Sequence, residues 1–185
     1  MADVTGIVLA AGAGTRAGGP KALLRLPSGE PWLSVSTTVL LEAGCSRVVV
    51  VLGAMARLAR PLVPPAAEIV VADGWSAGMS ASLRAGLAAA SGDAALVSLV
   101  DLPDLPVAVA RRVLSAEGDL RQAVFDGRPG HPVYLGSDQW MPVAASLVGD
   151  RGARAYLAAH NVTEVECADL WDGMDRDEAD QYRAP

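Results

Sequence analysis

Aromatic side chains are scarce in this chain: Phe, Trp and Tyr together make up 4% of its 185 residues. The 51% of residues that are hydrophobic are therefore mostly Ala, Val and Leu, enough for a substantial core and too many for a disordered chain. Small and branched fillers of this kind suit helices packed closely on a buried sheet. Cysteine is almost absent. Cys45 and Cys167 stand far apart with no CxxC spacing, which excludes a structural zinc site or a disulfide framework and leaves two buried free thiols in a reducing compartment. No basic stretch precedes the first apolar run, and the glycines from Gly12 to Gly19 follow it at once, so the start does not read as a signal peptide. No apolar run approaches the ~20 residues of a membrane helix. A soluble, cytoplasmic protein with no membrane partner is the expectation.

Positive charge is in deficit as well. The net charge of −6 excludes sequence-blind nucleic-acid binding, which needs a field of basic groups, but leaves room for one local phosphate site. Lysine is rarest of all: Lys21 stands alone against fourteen arginines. Where Arg serves at every other basic position, the exception points to a role for a compact ammonium on a flexible stem, as in phosphate binding.

Short apolar runs alternate with helical patterns. Strands are expected at Thr5 to Ala10, Arg47 to Leu52, Glu68 to Ala72, Ala94 to Val100, Gln122 to Phe125, His131 to Leu135 and Val162 to Cys167. Helical spacing covers Trp32 to Ala43 (stopped by Gly44), Ala54 to Arg60, Met79 to Ala90, Pro106 to Ala116, Asp138 to Leu147, Ala153 to His160 and a short acidic segment at Asp177 to Tyr182. Nearly continuous Val/Ile/Leu strands separated by helices predict an α/β, three-layer Rossmann-like fold, its sheet mostly parallel. The Gly/Pro-rich stretch from Asp126 to Pro132 is read as a small antiparallel β excursion. No internal repeat or linker divides the chain, so residues 1–185 are expected to form a single domain. Ligands of such folds sit beyond the carboxyl ends of the strands.

Three segments fall there. After the first strand runs LAAGAGTRAGGPK, residues 9–21. Glycines let backbone N–H groups approach phosphate oxygens, and Arg16 and Lys21 add cations at the ends of the same loop. A Walker A loop requires Gly-Lys-Ser/Thr, whereas here Pro20 precedes Lys21 and Ala22 follows it. A dinucleotide fingerprint can be traced through Gly12, Gly14 and Ala17. The second strand nevertheless ends Val51-Leu52-Gly53 without the acid that a Rossmann oxidoreductase expects. After the fourth strand comes Asp101-Leu102-Pro103-Asp104, where Asp101 is well placed to hold Mg²⁺ and Asp104 to cap the following helix. After the third strand, Gly78 to Ser82 open a helix whose free N–H groups and hydroxyls could meet a base or a phosphate.

The loop LAAGAGTRAGGPKALL resembles the LAAGxGxRxGxxK signature of the MobA-like nucleotidyltransferases, with Ala17 in place of the usual Met. The likeness extends to about residue 182. It implies catalytic roles for Arg16, Lys21 and Asp101, and nucleotide contacts from Leu9, Ala10, Ala11, Gly12, Gly14, Gly78 and Ser80. The stretch from Gly78 to Leu87 is similar to GMSxSLxxGL of molybdenum cofactor cytidylyltransferases, which implies CTP ahead of GTP. Gly127-Arg128-Pro129-Gly130-His131-Pro132-Val133 looks like the RxGHPV turn of that group, and Gly149-Asp150-Arg151-Gly152-Ala153-Arg154 like its GDxGAR motif, both on the acceptor side. They imply a basic pocket of Arg128, His131, Arg151 and Arg154 for a phosphorylated small molecule, which by the same resemblance would be molybdopterin-bound molybdenum. A molybdoenzyme or cofactor-handling protein is the partner this implies. The family's C-terminal D-x-D-T-P-E-D stretch matches poorly: Asp175 stands at the later Asp, Gly173 at the earlier one, and Arg176 and Asp177 replace Thr and Pro. The second metal ligand is then Asp175, or Asp172 on a one-residue slip, or the site is altered. The expectation is a Mg²⁺-dependent nucleotidyltransferase that releases pyrophosphate. The alternatives are an NAD(P)-dependent Rossmann oxidoreductase and a non-catalytic nucleotide- or cofactor-binding protein.

Overall fold

The computed structural model describes residues 2–15 and 18–176. Seven strands form one sheet: β1 (Val4–Ala10), β2 (Arg47–Leu52), β3 (Ala67–Val71), β4 (Ala94–Leu99), β5 (Leu120–Phe125), β6 (Arg128–Gly136) and β7 (Thr163–Glu166). Their order across the sheet is β3-β2-β1-β4-β6-β5-β7. β1 pairs in parallel with both β2 and β4, β3 with β2, and β7 with β5, whereas β6 runs antiparallel to β4 and β5. The antiparallel component is thus the β5–β6 hairpin, and β6 is built into the sheet by pairing with β4 from Ala94 to Val97. Its turn is only Asp126-Gly127, both at positive φ (52° and 71°), so Arg128 to Pro132 belong to the strand.

Alternation along each strand divides the core into two layers. Val8, Val48, Val50 and Leu96 face α1 (Trp32–Ala43) and α4 (Val107–Ser115), represented by Leu33, Leu40, Val109 and Val113. Ile7, Val49, Val51 and Val97 face the other way, onto α3 (Met79–Ala89), α5 (Ser137–Ser146) and α6 (Arg154–Ala159), with Leu83, Leu87, Val143 and Leu157. Both faces of the sheet are covered at its centre, which is why β1, β2 and β4 are almost wholly apolar, with Thr5, Arg47 and Ser98 the exceptions. The segment Ala54 to Arg60 is less regular than its spacing predicts. Met55 is left-handed (φ 51°), α2 spans only Ala56–Ala59, and a 3₁₀ turn, Arg60–Leu62, takes in Pro61. Cys45 and Cys167 are free and buried; burial pushes the Cys45 thiol up to about 12, so it is inert at neutral pH. Among the described residues, no helix is long and apolar enough to cross a membrane. The acidic segment from Asp177 to Tyr182 lies outside the described residues.

The chain runs from β1 outward to β3 and then returns to the other side of β1 with β4. The order reverses there, and a crevice opens beyond the carboxyl ends of β1 and β4.

Candidate active site

The end of β1 and the start of the Asp101 turn are tied together, since the Val100 N–H donates to the Leu9 carbonyl at 3.1 Å. On the other flank the Ala54 N–H donates to the Ala11 carbonyl at 2.9 Å. Between these anchors the glycine-rich loop leaves the sheet, with Gly14 at φ 59° and the Gly19 N–H donating to the Gly14 carbonyl at 3.1 Å. The chain then enters a 3₁₀ turn at Lys21–Leu23. That turn delivers the Lys21 ammonium to Asp101: Nζ donates to Oδ2 at 2.9 Å, with the side chains only 16% and 18% exposed. The second carboxylate oxygen, Asp101 Oδ1, is buried with no hydrogen-bond partner among the described residues. A buried acceptor of this kind costs free energy unless something binds it.

Around this pair lies a cavity of about 440 Å³. Leu9, Ala10, Ala11, Gly12, Gly14, Lys21, Gly78 and Asp101 line it. Arg16 lies outside the described residues. A second cavity, of about 270 Å³, adjoins the first along a wall of Leu9, Met79 and Asp150. It contains His131, Arg151 and Arg154 among apolar residues of α3, β4, β6 and α6. Burial holds the His131 imidazole below its ordinary value, while the nearby Asp101 carboxylate pulls the other way. The ring is therefore neutral at neutral pH and can both donate and accept a hydrogen bond.

Four expectations need correction. Ser80 is 2% exposed and does not line the cavity; Ser82 does. Met79 and Ser82 lie three apart on one face of α3, while Ser80, a third of a turn round, points elsewhere; helical spacing alone singles out Ser82. The N–H groups that open α3 are not free. Asp150 Oδ1 accepts from the Met79 N–H (3.2 Å), and the Gly149 carbonyl accepts from the Ser80 N–H (3.0 Å). Gly78 makes room for this cover: at φ 108°, a Cβ there would lie 2.3 Å from Asp150 Oδ1. Arg128 stays out of the basic pocket, because the two-residue turn places it at the end of the hairpin, where its Nε donates to the Phe125 carbonyl at 3.2 Å. Asp104 does not cap α4 but pairs with Arg176, through Nε at 3.0 Å and through Nη2.

Asp175 is exposed, and no contact brings its carboxylate to Asp101; it is the backbone of Arg176 that reaches there, its N–H donating to the Asp101 carbonyl at 2.8 Å. Among the described residues, no three His, Cys, Asp or Glu side chains form a metal-holding group. Trp75, Ser76, Thr15 and Asp150 also line the first cavity and carried no assigned role. Asp150 had a signal, since it lies in the Gly149 to Arg154 motif, but its partner on α3 is remote in sequence.

Residues 6–165 match the family model described as the MobA-like NTP transferase domain. The nicotine blue oxidoreductase of Paenarthrobacter nicotinovorans is 39% identical, the match covering 97% of this chain and 95% of that protein. A probable molybdenum cofactor guanylyltransferase of Opitutus terrae is 35% identical over 77% of this chain and 65% of its own length. Among solved structures, Rv0371c of Mycobacterium tuberculosis superposes with a TM-score of 0.82 at 28% identity, covering 98% of this chain and 96% of that one. A second structure of Rv0371c is a complex with manganese, with a TM-score of 0.74 at 26% identity over 89% of this chain and 88% of that one.

Proposed function

The chain belongs to the MobA-like NTP transferase family, a family of nucleotidyltransferases, and from that premise we propose that it moves a nucleoside monophosphate from an NTP, CTP first, onto a phosphorylated small molecule with the help of Mg²⁺. The observation that carries the reading is the Lys21–Asp101 pair facing the glycine loop at the sheet's switch point. The buried, unpartnered Asp101 Oδ1 fits a divalent cation. Mg²⁺ commonly takes one or two protein carboxylates and fills its remaining positions with phosphate oxygens and water, so a third protein ligand is not required. When bound, the cation would orient the phosphates and neutralise charge as the bond to pyrophosphate breaks.

In this reading the loop N–H groups from Ala10 to Gly14 hold the triphosphate. Lys21 exchanges Asp101 for the departing phosphates, and Arg16 adds a second cation there. An acceptor phosphate oxygen attacks the α-phosphorus, forming the new P–O bond as the pyrophosphate oxygen leaves with its electron pair. The acceptor phosphate is already ionised at neutral pH, so its activation needs no protein base. His131, Arg151 and Arg154, in the adjoining cavity, would hold that phosphate in line. The molybdenum–molybdopterin acceptor rests on the motifs at Gly127 to Val133 and Gly149 to Arg154. CTP rests on Ala11 and on the run from Gly78 to Ser82, while the Opitutus relative's name makes GTP the competitor. Pyrophosphate release from CTP, GTP, ATP and UTP, each with Mg²⁺ and with molybdenum–molybdopterin or a sugar phosphate, tests the proposal. No release from any combination rejects it.

A second reading has its own support, the nicotine blue oxidoreductase that is 39% identical over almost the whole chain. A nicotinamide dinucleotide carries a pyrophosphate that the same loop could cradle, and the second cavity is largely apolar. Oxidation of NADH or NADPH by a planar dye without added metal, and no pyrophosphate from CTP, would decide for it.

A further inference from the structure

The chain's last described stretch, residues 171–176, runs as a strap from the end of β5 to the Asp101–Asp104 turn. Trp171 stands edge-on to Phe125 at the end of β5, with ring centroids 5.4 Å apart and planes at 87°. Gly173 crosses the same phenyl ring at φ 72°, where a Cβ would lie 2.3 Å from Phe125 Cδ2, so only glycine passes. Asp172 Oδ1 accepts the Met174 N–H at 2.9 Å and shapes the next turn. At the far end Arg176 makes two attachments. Its N–H donates to the Asp101 carbonyl at 2.8 Å, and its guanidinium grips Asp104 through Nε (3.0 Å) and Nη2, with Asp172 Oδ2 at 3.4 Å. Arg176 and Asp104 are 22% and 29% exposed, sheltered enough for the pair to hold its geometry.

The turn bearing Asp101 thus has two backbone tethers, Val100 to Leu9 on the β1 side and Arg176 to Asp101 on the strap side. We propose that Arg176 is a positioning residue: by locking onto Asp104 it seats the strap, and the seated strap fixes the Asp101 backbone so that its carboxylate stays beside Lys21 at the wall of the cleft. The inference rests on the reading of Asp101 as the metal-holding carboxylate. It also accounts for the divergent C-terminal motif. Gly173 stands where an acid would collide with Phe125, and Arg176 stands where a guanidinium can reach Asp104.

The test uses the full chain with Arg176→Ala, Asp104→Ala, the double variant and Arg176→Lys. Hydrogen exchange, free of nucleotide and metal, follows the segments 101–105 and 171–176. Pyrophosphate release from CTP, or from whichever NTP the wild type uses, is measured with its phosphorylated acceptor against Mn²⁺ concentration. Each single alanine variant should speed exchange in both segments and raise half-saturating Mn²⁺ by about 10- to 100-fold, with KM for CTP at saturating Mn²⁺ unchanged. The double variant should be no worse than either single, because both remove one latch. Arg176→Lys, whose ammonium can still reach Asp104, should recover part of the loss and keeps the test usable if an alanine variant fails to fold. Unchanged exchange at 101–105 in Arg176→Ala, or losses that simply add, overturns the proposal. Faster exchange in both segments together with a wild type that releases no pyrophosphate from CTP, GTP, ATP or UTP with either acceptor supports the latch and overturns the nucleotidyl-transfer reading instead.

Discussion

Lys21 and Asp101 are 80 positions apart in the chain and 2.9 Å apart in space, so a single substitution at either end disarms both. Under the proposed mechanism, the charge building on the leaving phosphates would lose a preorganised cation without Lys21, and the metal ion would lose its protein ligand without Asp101. Lys21→Ala and Asp101→Ala are each expected to cut turnover by ~10² or more with the far-UV circular dichroism unchanged; a wild-type rate from either would strip that residue of its role. Glu166 offers a prediction of a different kind. Its carboxylate accepts the N–H groups of Ala168 (2.9 Å), Cys167 (3.0 Å), Asp126 (3.2 Å) and Gly127 (3.3 Å), which stitches the hairpin turn to the end of β7. These bonds, that from Ala168 foremost, hold its carboxyl below the ordinary glutamate range. A carboxylate whose folded value is depressed stabilises the fold above its unfolded value, and that contribution drains away as pH falls through the folded value. The gap in urea midpoint between wild type and Glu166→Gln is therefore expected to be open at pH 7 and to narrow below about pH 4. A gap independent of pH would mean that the four hydrogen bonds do not depend on the charge.

Elements whose signals are local were legible in the sequence. α1 is bounded as its spacing predicts because Gly44 stops it, and β2 because an unbroken valine run has no helical alternative. Legibility failed where a remote segment decides. Nothing near Gly78 announces that the loop at Gly149 and Asp150 will occupy the N–H groups of α3, and nothing near Asp104 announces Arg176. The hairpin turn was overestimated for another reason: Gly130, Pro129 and Pro132 look like turn residues, yet Asp126-Gly127 alone closes the turn. Lys21 stood out as the only lysine, in a glycine loop, and Asp101 as an acid at a strand's carboxyl end; it is the switch point between β1 and β4 that makes them neighbours. The α3 cover yields a prediction at this scale. Gly78→Ala puts a methyl group into the space of Asp150 Oδ1 and forces a φ of 108° on a residue with a side chain. It should cost about 1–3 kcal/mol in a denaturation experiment, and it should loosen the wall shared by the two cavities. A midpoint like that of the wild type would show that the 149–150 loop gives way freely.

On the scale of the whole molecule, charge and ligand work against each other. A protein of net charge −6 repels a triphosphate at long range, and within the cleft the carboxylates of Asp101 and Asp150 oppose it again. Lys21, already paired with Asp101, cannot offset both alone. A divalent cation reverses this balance by reducing the charge of the incoming nucleotide and taking up the idle Asp101 oxygen, so binding should depend on nucleotide and metal together. A ligand at a hundred times its Kd stabilises the folded state by about 2.7 kcal/mol. For a chain of this size that corresponds to a rise in Tm of roughly 5–10 °C. In a thermal-shift series, CTP with Mg²⁺ is expected to reach that range, and CTP alone or Mg²⁺ alone to fall well short of it. NADPH should stay near the baseline whether or not metal is present. If NADPH alone gives the full rise and CTP with Mg²⁺ gives none, the glycine loop serves a dinucleotide, and the chemistry of this cleft is hydride transfer.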